Sequence, residues 1–512
     1  MRTAAKVVLL LATLGAARAY AQNSAIQHII VVVQENRTPD NLFQDSNLIM
    51  AGADIVQTGA CALTGIPLKP RPLADCYDLN HYHSAWKNMY DSGKMDGACN
   101  INVIKNICSP GSPPTFPQYV YADNSSGAIQ PYWDIAEKYG YANYFFQTNQ
   151  GPSFPAHQFL ISGTSAPDGI QNPFYSYFAM DNPGPPSYAA GCNSTGSQVA
   201  LISPAGDQNT QVAPCFEHPT LTDLLDQHQI SWRYYGKQAD SIWLAPNAIS
   251  HICNNTGQGT HCGTGNGSNQ DWNNDVKNYL EGTNKLAPFL ADLQKCDLAP
   301  VTWVTPDGRW GDHPTQSLGL GPDYVADIVN AVGGTGPPAN NCGFWSNTVI
   351  LIVWDDWGGF YDHVAPWNIG YLNSGNNNGI QYVYGFRVPL LVVSTFAKQH
   401  YISGTKTNHI NYDFGSILKF IENTFTQGVT GINPIYPYAD QFVTFGVNDL
   451  SDFFDCSGPQ CHPFQPINLQ YSSQCVASKC TVTTCNSDRS QCQCDAKCLT
   501  SYQGGPYDPD DD

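Results

Sequence analysis

Residues 28–43 read "HIIVVVQENRTPDNLF". Ile29, Ile30, Val31, Val32 and Val33 are apolar at successive positions, not alternate ones. A short β-branched run of that kind reads as a strand buried on both faces, as in a parallel sheet sandwiched between helices. Gln34, Glu35, Asn36 and Arg37 follow with no turn residue between. A strand that is buried throughout and ends in an acid and an amide holds those groups at a dry tip, where they need a partner.

The same design recurs along the chain. "ISWRYYG" (230–236), "APVTWVTP" (299–306), "NTVILIVW" (347–354) and "VPLLVVST" (388–395) are strand-like runs, each followed by a polar loop. Between them lie helical patterns in "LTDLLDQH" (221–228), "YVADIVNAV" (324–332) and "FGSILKFIENTF" (414–425). In the last, Phe414, Ile417, Leu418, Ile421 and Phe425 fall on one helical face. Strands alternating with helices predict an α/β fold with a mostly parallel central sheet and helices on both faces. Ligands of such sheets sit beyond the carboxyl ends of the strands. The Gly/Asn/Ser-rich stretches 183–198, 254–274 and 372–379 read as surface loops.

Composition narrows the function. A net charge of −19 with only 13% charged residues leaves no basic stripe for nucleic acid. An anion site would have to be built locally, from a metal, histidines or backbone N–H groups. There is no Walker loop, no G-x-S-x-G elbow and no HExxH pair.

Met1-Arg2 with Lys6, the apolar "VVLLLATLGAA" and the small residues Ala19-Tyr20-Ala21 have the design of a secretory signal over residues 1–21. The apolar stretch is short for a membrane anchor, and no later run is long enough to span a bilayer. Eighteen cysteines agree with an oxidising, secreted or periplasmic location. Ten lie between Cys61 and Cys342, and eight crowd into 456–498. The division expected is a signal over 1–21, a main domain over 22–455 and a disulfide-stapled, Cys-rich tail over 456–512 that ends in the acidic "DPDDD". Sequons occur at Asn124, Asn193, Asn254 and Asn266.

Three sets of residues have chemistry to offer. Asp355 and Asp356 follow the apolar run "VILIVW" directly, and two adjacent carboxylates at a buried strand end call for a cation. Glu35 and Asn36 offer hard oxygen ligands suited to Ca, Mg or Mn and tolerable for Zn; alone, Asn36 and Asp40 could equally cap a helix or turn. His81, His83, His251, His313 and His363 lie in loops near Asp or after strand ends, where an imidazolium could hold an anion or protonate a leaving group. In "GPSFPAHQFLISG", Ser153 precedes a helix. It reads either as a plain N-cap or as a nucleophile at a helix N-terminus.

These motifs occur together, in order, over residues 27–455: "VVQENRTPDNLF", "DLNHYHSAW", "GPSFPAHQFLISG", "SWRYYG", "APNAISHI", "PVTWVTPDGRWGDHP", "ILIVWDDWGGFYDHVAP", "GFRVPLLVVSTFAK", "DFGSILKFIENTF" and "NDLSDFFD". In this the sequence resembles the bacterial phosphoesterase family of phospholipases C and acid phosphatases, within the alkaline-phosphatase-like fold. The resemblance implies that Glu35, Asn36, Asp355 and Asp356 hold one divalent metal ion with Ser153, the nucleophile. It implies that His81, His251 and His313 surround the phosphoryl group, and that Asp362 and His363 form a partly structural signature. The activity implied is metal-assisted hydrolysis of a phosphate ester or phospholipid through a phospho-serine, phospholipase C-like, with transient membrane-surface contact and no transmembrane segment. An acid phosphatase acting on monoesters and a non-catalytic binding protein on a decayed enzyme are the alternatives. Two departures from the family pattern stand out. Thr38-Pro39-Asp40 replaces Ser-Phe-Asp after Arg37, and Asp356 stands where Glu is frequent.

Overall fold

A computed structural model describes residues 25–470 apart from internal stretches such as 169–176, 254–261, 263–270, 368–383 and 427–438, together with 482–485 and 492–494. The signal segment 1–21, the loop 372–379, most of the loop 254–274, the sequons Asn254 and Asn266, most of the Cys-rich tail and its acidic end lie outside the described residues.

The central sheet has eight strands: β1 (His28–Gln34), β2 (Gly140–Ala142), β3 (Trp232–Gly236), β4 (Val276–Asn278), β5 (Val301–Val304), β6 (Thr348–Trp354), β7 (Leu390–Ser394) and β8 (Tyr401–Ser403). Their order across the sheet is β4-β3-β5-β1-β6-β7-β2-β8. Five strands from β4 to β6 run parallel, and β8 pairs parallel with β2. β7 alone runs the other way, antiparallel to both β6 and β2. The loop "FAKQHY" after β7 therefore leaves the sheet at the opposite end from the carboxyl ends of the other strands. It does not join them, as the run of similar motifs had suggested.

The physical reason for the sheet's centre is plain in β1 and β6. Ile29–Val33 and Val349–Trp354 are buried to within 1% of completely. Each such side chain contributes roughly 1.5–3 kcal/mol of burial. Their pairing is in register over the whole length, from His28↔Thr348 to Gln34↔Trp354. The two polar tips are therefore side by side on adjacent strands, not facing each other across a gap.

The helices that matter to the site are α1 (Pro39–Leu42), α2 (His83–Tyr90), α3 (Gln130–Lys138), α4 (Ser153–Ser162), α5 (Leu221–Gln227), α6 (Gly321–Val332) and α7 (Phe414–Phe425). α7 presents the apolar face expected of it, with Phe414, Ile417, Leu418 and Ile421 fully buried. A second, smaller core joins Leu79, Trp86, Met89 and Tyr119 to Trp357 and Phe386, fastening the segment around 58–122 against the loop that follows β6. Cys61–Cys99 and Cys76–Cys108 staple that segment. Cys192–Cys215, Cys253–Cys262 and Cys296–Cys342 complete the pairing of the ten cysteines between 61 and 342, and Cys456–Cys461 opens the tail. The first part of that tail is packed: Asn330 on α6 exchanges two hydrogen bonds with the Ile467 backbone, and the Tyr139 hydroxyl donates to Gln465 O. No helix among the described residues is long and apolar enough to cross a membrane.

Candidate active site

The site starts where the β1–β6 ladder ends. Asp355 N–H still donates to Gln34 O, at 2.9 Å, as one more rung. Beyond it the backbone of Asn36 turns into the left-handed region (φ 59°), and its N–H donates to Asp355 Oδ1 at 3.0 Å. Gly358 makes that turn affordable: a Cβ there would strike the Asn36 backbone and side chain. Gly358 N–H donates to Asp356 Oδ1 at 2.7 Å, which fixes the second carboxylate. Glu35, Asn36, Asp355 and Asp356 are all fully buried.

α4 brings the hydroxyl. Pro152 takes the N-cap position of this helix and Ser153 is its first residue, with no side-chain cap bond. The plain capping role is thereby removed from Ser153. Its Oγ instead lies 3.2 Å from Asp356 Oδ2 and 3.4 Å from Glu35 Oε2. One turn further along the same helix, His157 places Nε2 at 3.2 Å from Glu35 Oε1 and 3.8 Å from Asp355 Oδ2. Sequence reasoning passed over His157. The signal was its spacing: i and i+4 share a helix face, so a side chain four residues from Ser153 must point the same way.

The other histidines divide. His81 Nδ1 donates to Leu79 O at 2.6 Å, so its Nε2 accepts from Asn36 Nδ2 at 3.2 Å. The His313 ring stands 5.8 Å from the His81 ring, and its Nδ1 donates to Pro314 O at 2.8 Å. His81 therefore stands against Asn36, with His313 next to it. The loop bearing His313 is held there by Arg37, whose Nε and Nη2 both donate to Asp312 O, at 3.0 and 2.7 Å. His83 donates to Gln150 O in the turn before Ser153 and stacks on Trp86, and burial pushes its pKa down to about 4. His251 is held by other partners. Its Nδ1 lies 2.8 Å from Glu217 and its Nε2 3.3 Å from Asp223, near the start of α5. Burial opposes its charge, but those two acids raise its pKa to about 9.

The electrostatics ask for a cation. Burial, and then the charge of Asp355, push the Asp356 carboxyl well above the usual carboxylate range. Asp355 Oδ2 and Asn36 Oδ1 are buried without a hydrogen-bond partner. Glu35, His157 and Asp355 each present a ligand atom within 4.8 Å of the others. Buried carboxylate and amide oxygens left unpaired beside an imidazole fit a divalent ion of the Mn, Fe or Zn type as well as Mg or Ca.

Asp40, Asp362 and His363 form a second group with ligand atoms within 4.8 Å of one another, but its cations are already present. Arg387 donates to both oxygens of Asp362, at 2.8 and 2.9 Å. His363 donates to Asp40 from its backbone and lies 2.8 Å from Asp40 Oδ2 and 3.2 Å from Asp54 Oδ1 with its ring. The Thr38-Pro39-Asp40 departure belongs here. Thr38 Oγ1 caps α1, Pro39 sits in its first turn, and Asp40 joins the ion network. Burial lowers the His363 pKa, but the bonds to Asp40 and Asp54 win and raise it to about 9. A histidine whose folded pKa exceeds its unfolded value of about 6.5 stabilises fully below that value. The contribution, up to about 3 kcal/mol, is lost as pH rises through 9. His363→Gln is expected to lower the urea midpoint at pH 6 and to differ little from the parent protein at pH 10. Equal loss at both pH values would refute the ion-pair account.

The Phosphoesterase family model matches residues 26–427. The chain is 23% identical over 460 residues to the hemolytic phospholipase C of Pseudomonas aeruginosa, covering 85% of this chain and 56% of that protein. It thus spans little more than half the length of that relative. It is also 23% identical over 491 residues to phospholipase C B of Mycobacterium tuberculosis, covering 87% of this chain and 80% of the relative. Among solved structures, a protein in the alkaline phosphatase superfamily from Vibrio parahaemolyticus aligns over 64% of each chain at 12% identity, with a TM-score of 0.31.

Proposed function

Because this chain belongs to the Phosphoesterase family, we propose that it hydrolyses phosphoric esters through a phospho-serine at Ser153, with phospholipids of the phospholipase C type as its preferred substrates. The observation that carries the reading is the position of Ser153 Oγ, 3.2 Å from Asp356 and 3.4 Å from Glu35 at the first residue of α4, among buried oxygens that lack partners. Glu35, Asn36, Asp355, Asp356 and His157 would hold a divalent ion. When bound, such an ion polarises a phosphoryl oxygen and lowers the pKa of a neighbouring hydroxyl.

The residues of the chain account for the rest. Asp356 Oδ2 accepts from Ser153 Oγ at 3.2 Å and is placed to take the serine proton. Ser153 Oγ then forms a bond to phosphorus in line with the ester oxygen, whose own bond to phosphorus breaks. His313 donates to Pro314 O through Nδ1, so a proton it takes up is carried on Nε2 and can pass to the leaving alkoxide. His81 is less suited to that task, because its Nε2 accepts from Asn36 and so turns the Asn36 carbonyl oxygen the other way. Water then bonds to phosphorus as the Ser153 Oγ–phosphorus bond breaks; its proton passes to His313, Asp356 returns its proton to Oγ, and phosphate or a phosphomonoester is released. A secreted or periplasmic location accords with the disulfides of the core.

The test compares phosphatidylcholine vesicles with p-nitrophenyl phosphate as substrates of the protein dialysed against Mg, Ca, Mn or Zn. A kcat/KM at least about 10-fold higher on the diester is expected, a difference of roughly 1.4 kcal/mol in transition-state binding. Preference for the monoester would favour the acid phosphatase reading. Hydrolysis of neither, with no metal retained, would favour the binding protein.

A further inference from the structure

The three residues Met180-Asp181-Asn182 immediately precede the Gly/Asn/Ser-rich stretch 183–198. They are fastened to the site at each position. A Cβ on Gly151 would collide with the Met180 carbonyl oxygen, so the segment lies flush against the turn that precedes Ser153. Asp181 Oδ1 accepts the His83 backbone N–H at 2.7 Å, tying the segment to the loop that carries His81. Asn182 Oδ1 accepts the backbone N–H of Phe154, the residue next to Ser153, at 2.9 Å.

That last bond orients the Asn182 amide. With its carbonyl oxygen committed to the second N–H of α4, the Asn182 amide is held at the mouth of the helix whose first residue is Ser153. Asn182 is only 8% exposed, and among the described residues Oδ1 makes the one hydrogen bond of its side chain, with no acceptor at Nδ2. An amide fixed through its oxygen, with its nitrogen left to donate, is suited to an incoming acceptor. The acceptor chemistry that fits a helix mouth beside a nucleophile is a phosphoryl oxygen.

We infer that Asn182 is a substrate-binding residue, its Nδ2 donating to a non-bridging oxygen of the phosphoryl group at Ser153. This rests on the phosphoesterase reading and adds a residue to it. Donors of this kind act on the charge that builds on phosphorus oxygens in the transition state, and loss of one costs roughly 10²–10³ in kcat.

Asn182→Asp separates this role from a structural one. The aspartate keeps an acceptor for the Phe154 N–H, so α4 stays capped, but it removes the donor and sets a negative charge where the phosphoryl oxygens would lie. The metal-loaded protein is assayed on bis-p-nitrophenyl phosphate, with inorganic phosphate as competitive inhibitor. The expected result is a kcat/KM lower by at least about 100-fold and phosphate inhibition weakened by at least about 10-fold, with metal content and melting temperature unchanged. Asn182→Ser, neutral and too short to reach, is expected to lose activity in the same direction, and it serves if the aspartate disturbs folding or metal. Retention of activity and phosphate inhibition within about threefold in both variants, against an active parent, would overturn the assignment while leaving the phosphoesterase reading intact. A parent protein inert on every phosphate ester would overturn that reading and this one with it.

Discussion

Ser153→Ala is expected to reduce turnover of a chromogenic phosphate ester by about 10⁴-fold or more, because removal of a nucleophile leaves only binding and electrostatic help. The variant should fold. Ser153 is the first residue of α4 and makes no capping bond, and Ala is the better helix former. The bonds lost are the contacts from Oγ to Asp356 and Glu35. The metal content should stay near that of the parent, since four protein oxygens and His157 remain. Incubation of the parent with a slow substrate, followed by acid quench and mass analysis, should show a phosphate adduct on the peptide containing Ser153, absent from the variant. A variant with near-normal rates would remove Ser153 from the mechanism.

Asp355→Asn should have opposite effects on stability with and without metal. Asp355 Oδ1 accepts the Asn36 N–H, a bond that asparagine can keep with its own carbonyl oxygen. What changes is charge. Asp355 is fully buried beside Asp356, whose carboxyl is pushed up by burial and by Asp355 itself. Without metal, taking one charge out of that pair should stabilise the fold, on the order of 1–3 kcal/mol, because a buried ion without its partner is costly. With metal present the order reverses, as the parent gains stability by binding and the variant does not. Metal affinity should fall by more than about 100-fold, beyond the usual loss for a residue that only supports a ligand. Activity should fall with it. The measurements are metal per chain after dialysis and melting temperature with EDTA or with added Mn. A metal-free variant less stable than the metal-free parent would show that Asp355 has a structural task instead.

Much of this architecture was legible in one dimension. Apolar runs with no alternation, spaced between helical patterns, can only be satisfied by a sheet covered on both faces, because every backbone and side chain in them must avoid water on both sides. The polar residues at the ends of "HIIVVVQ" and "NTVILIVW" were visible for the same reason: a change of character at a strand end needs no tertiary information. Strand direction was not visible. The apolar run of β7 looks the same read along either direction, and only pairing with β6 and β2 shows that it is reversed and carries its loop away from the site.

The site itself was divided in the same way. Glu35, Asn36, Asp355 and Asp356 were marked by sequence as tips in need of a cation, and Ser153 by its place before a helix. That β1 and β6 are neighbours in full register, so that residues some 320 positions apart exchange a hydrogen bond, is a property of the sheet order and of nothing local. His157 became part of the site because α4 leans across both tips, and Asn182 because its segment lies against the Gly151 turn. The partners of His251, Glu217 and Asp223, were likewise set by folding, since Glu217 lies 34 residues before it. The sequence by itself determined which segments are buried and which residues at their ends are too polar to be left there alone. The tertiary structure decided which of those ends meet, because that depends on strand order, direction and helix placement, and these are set by packing between segments that carry no mark of their partners.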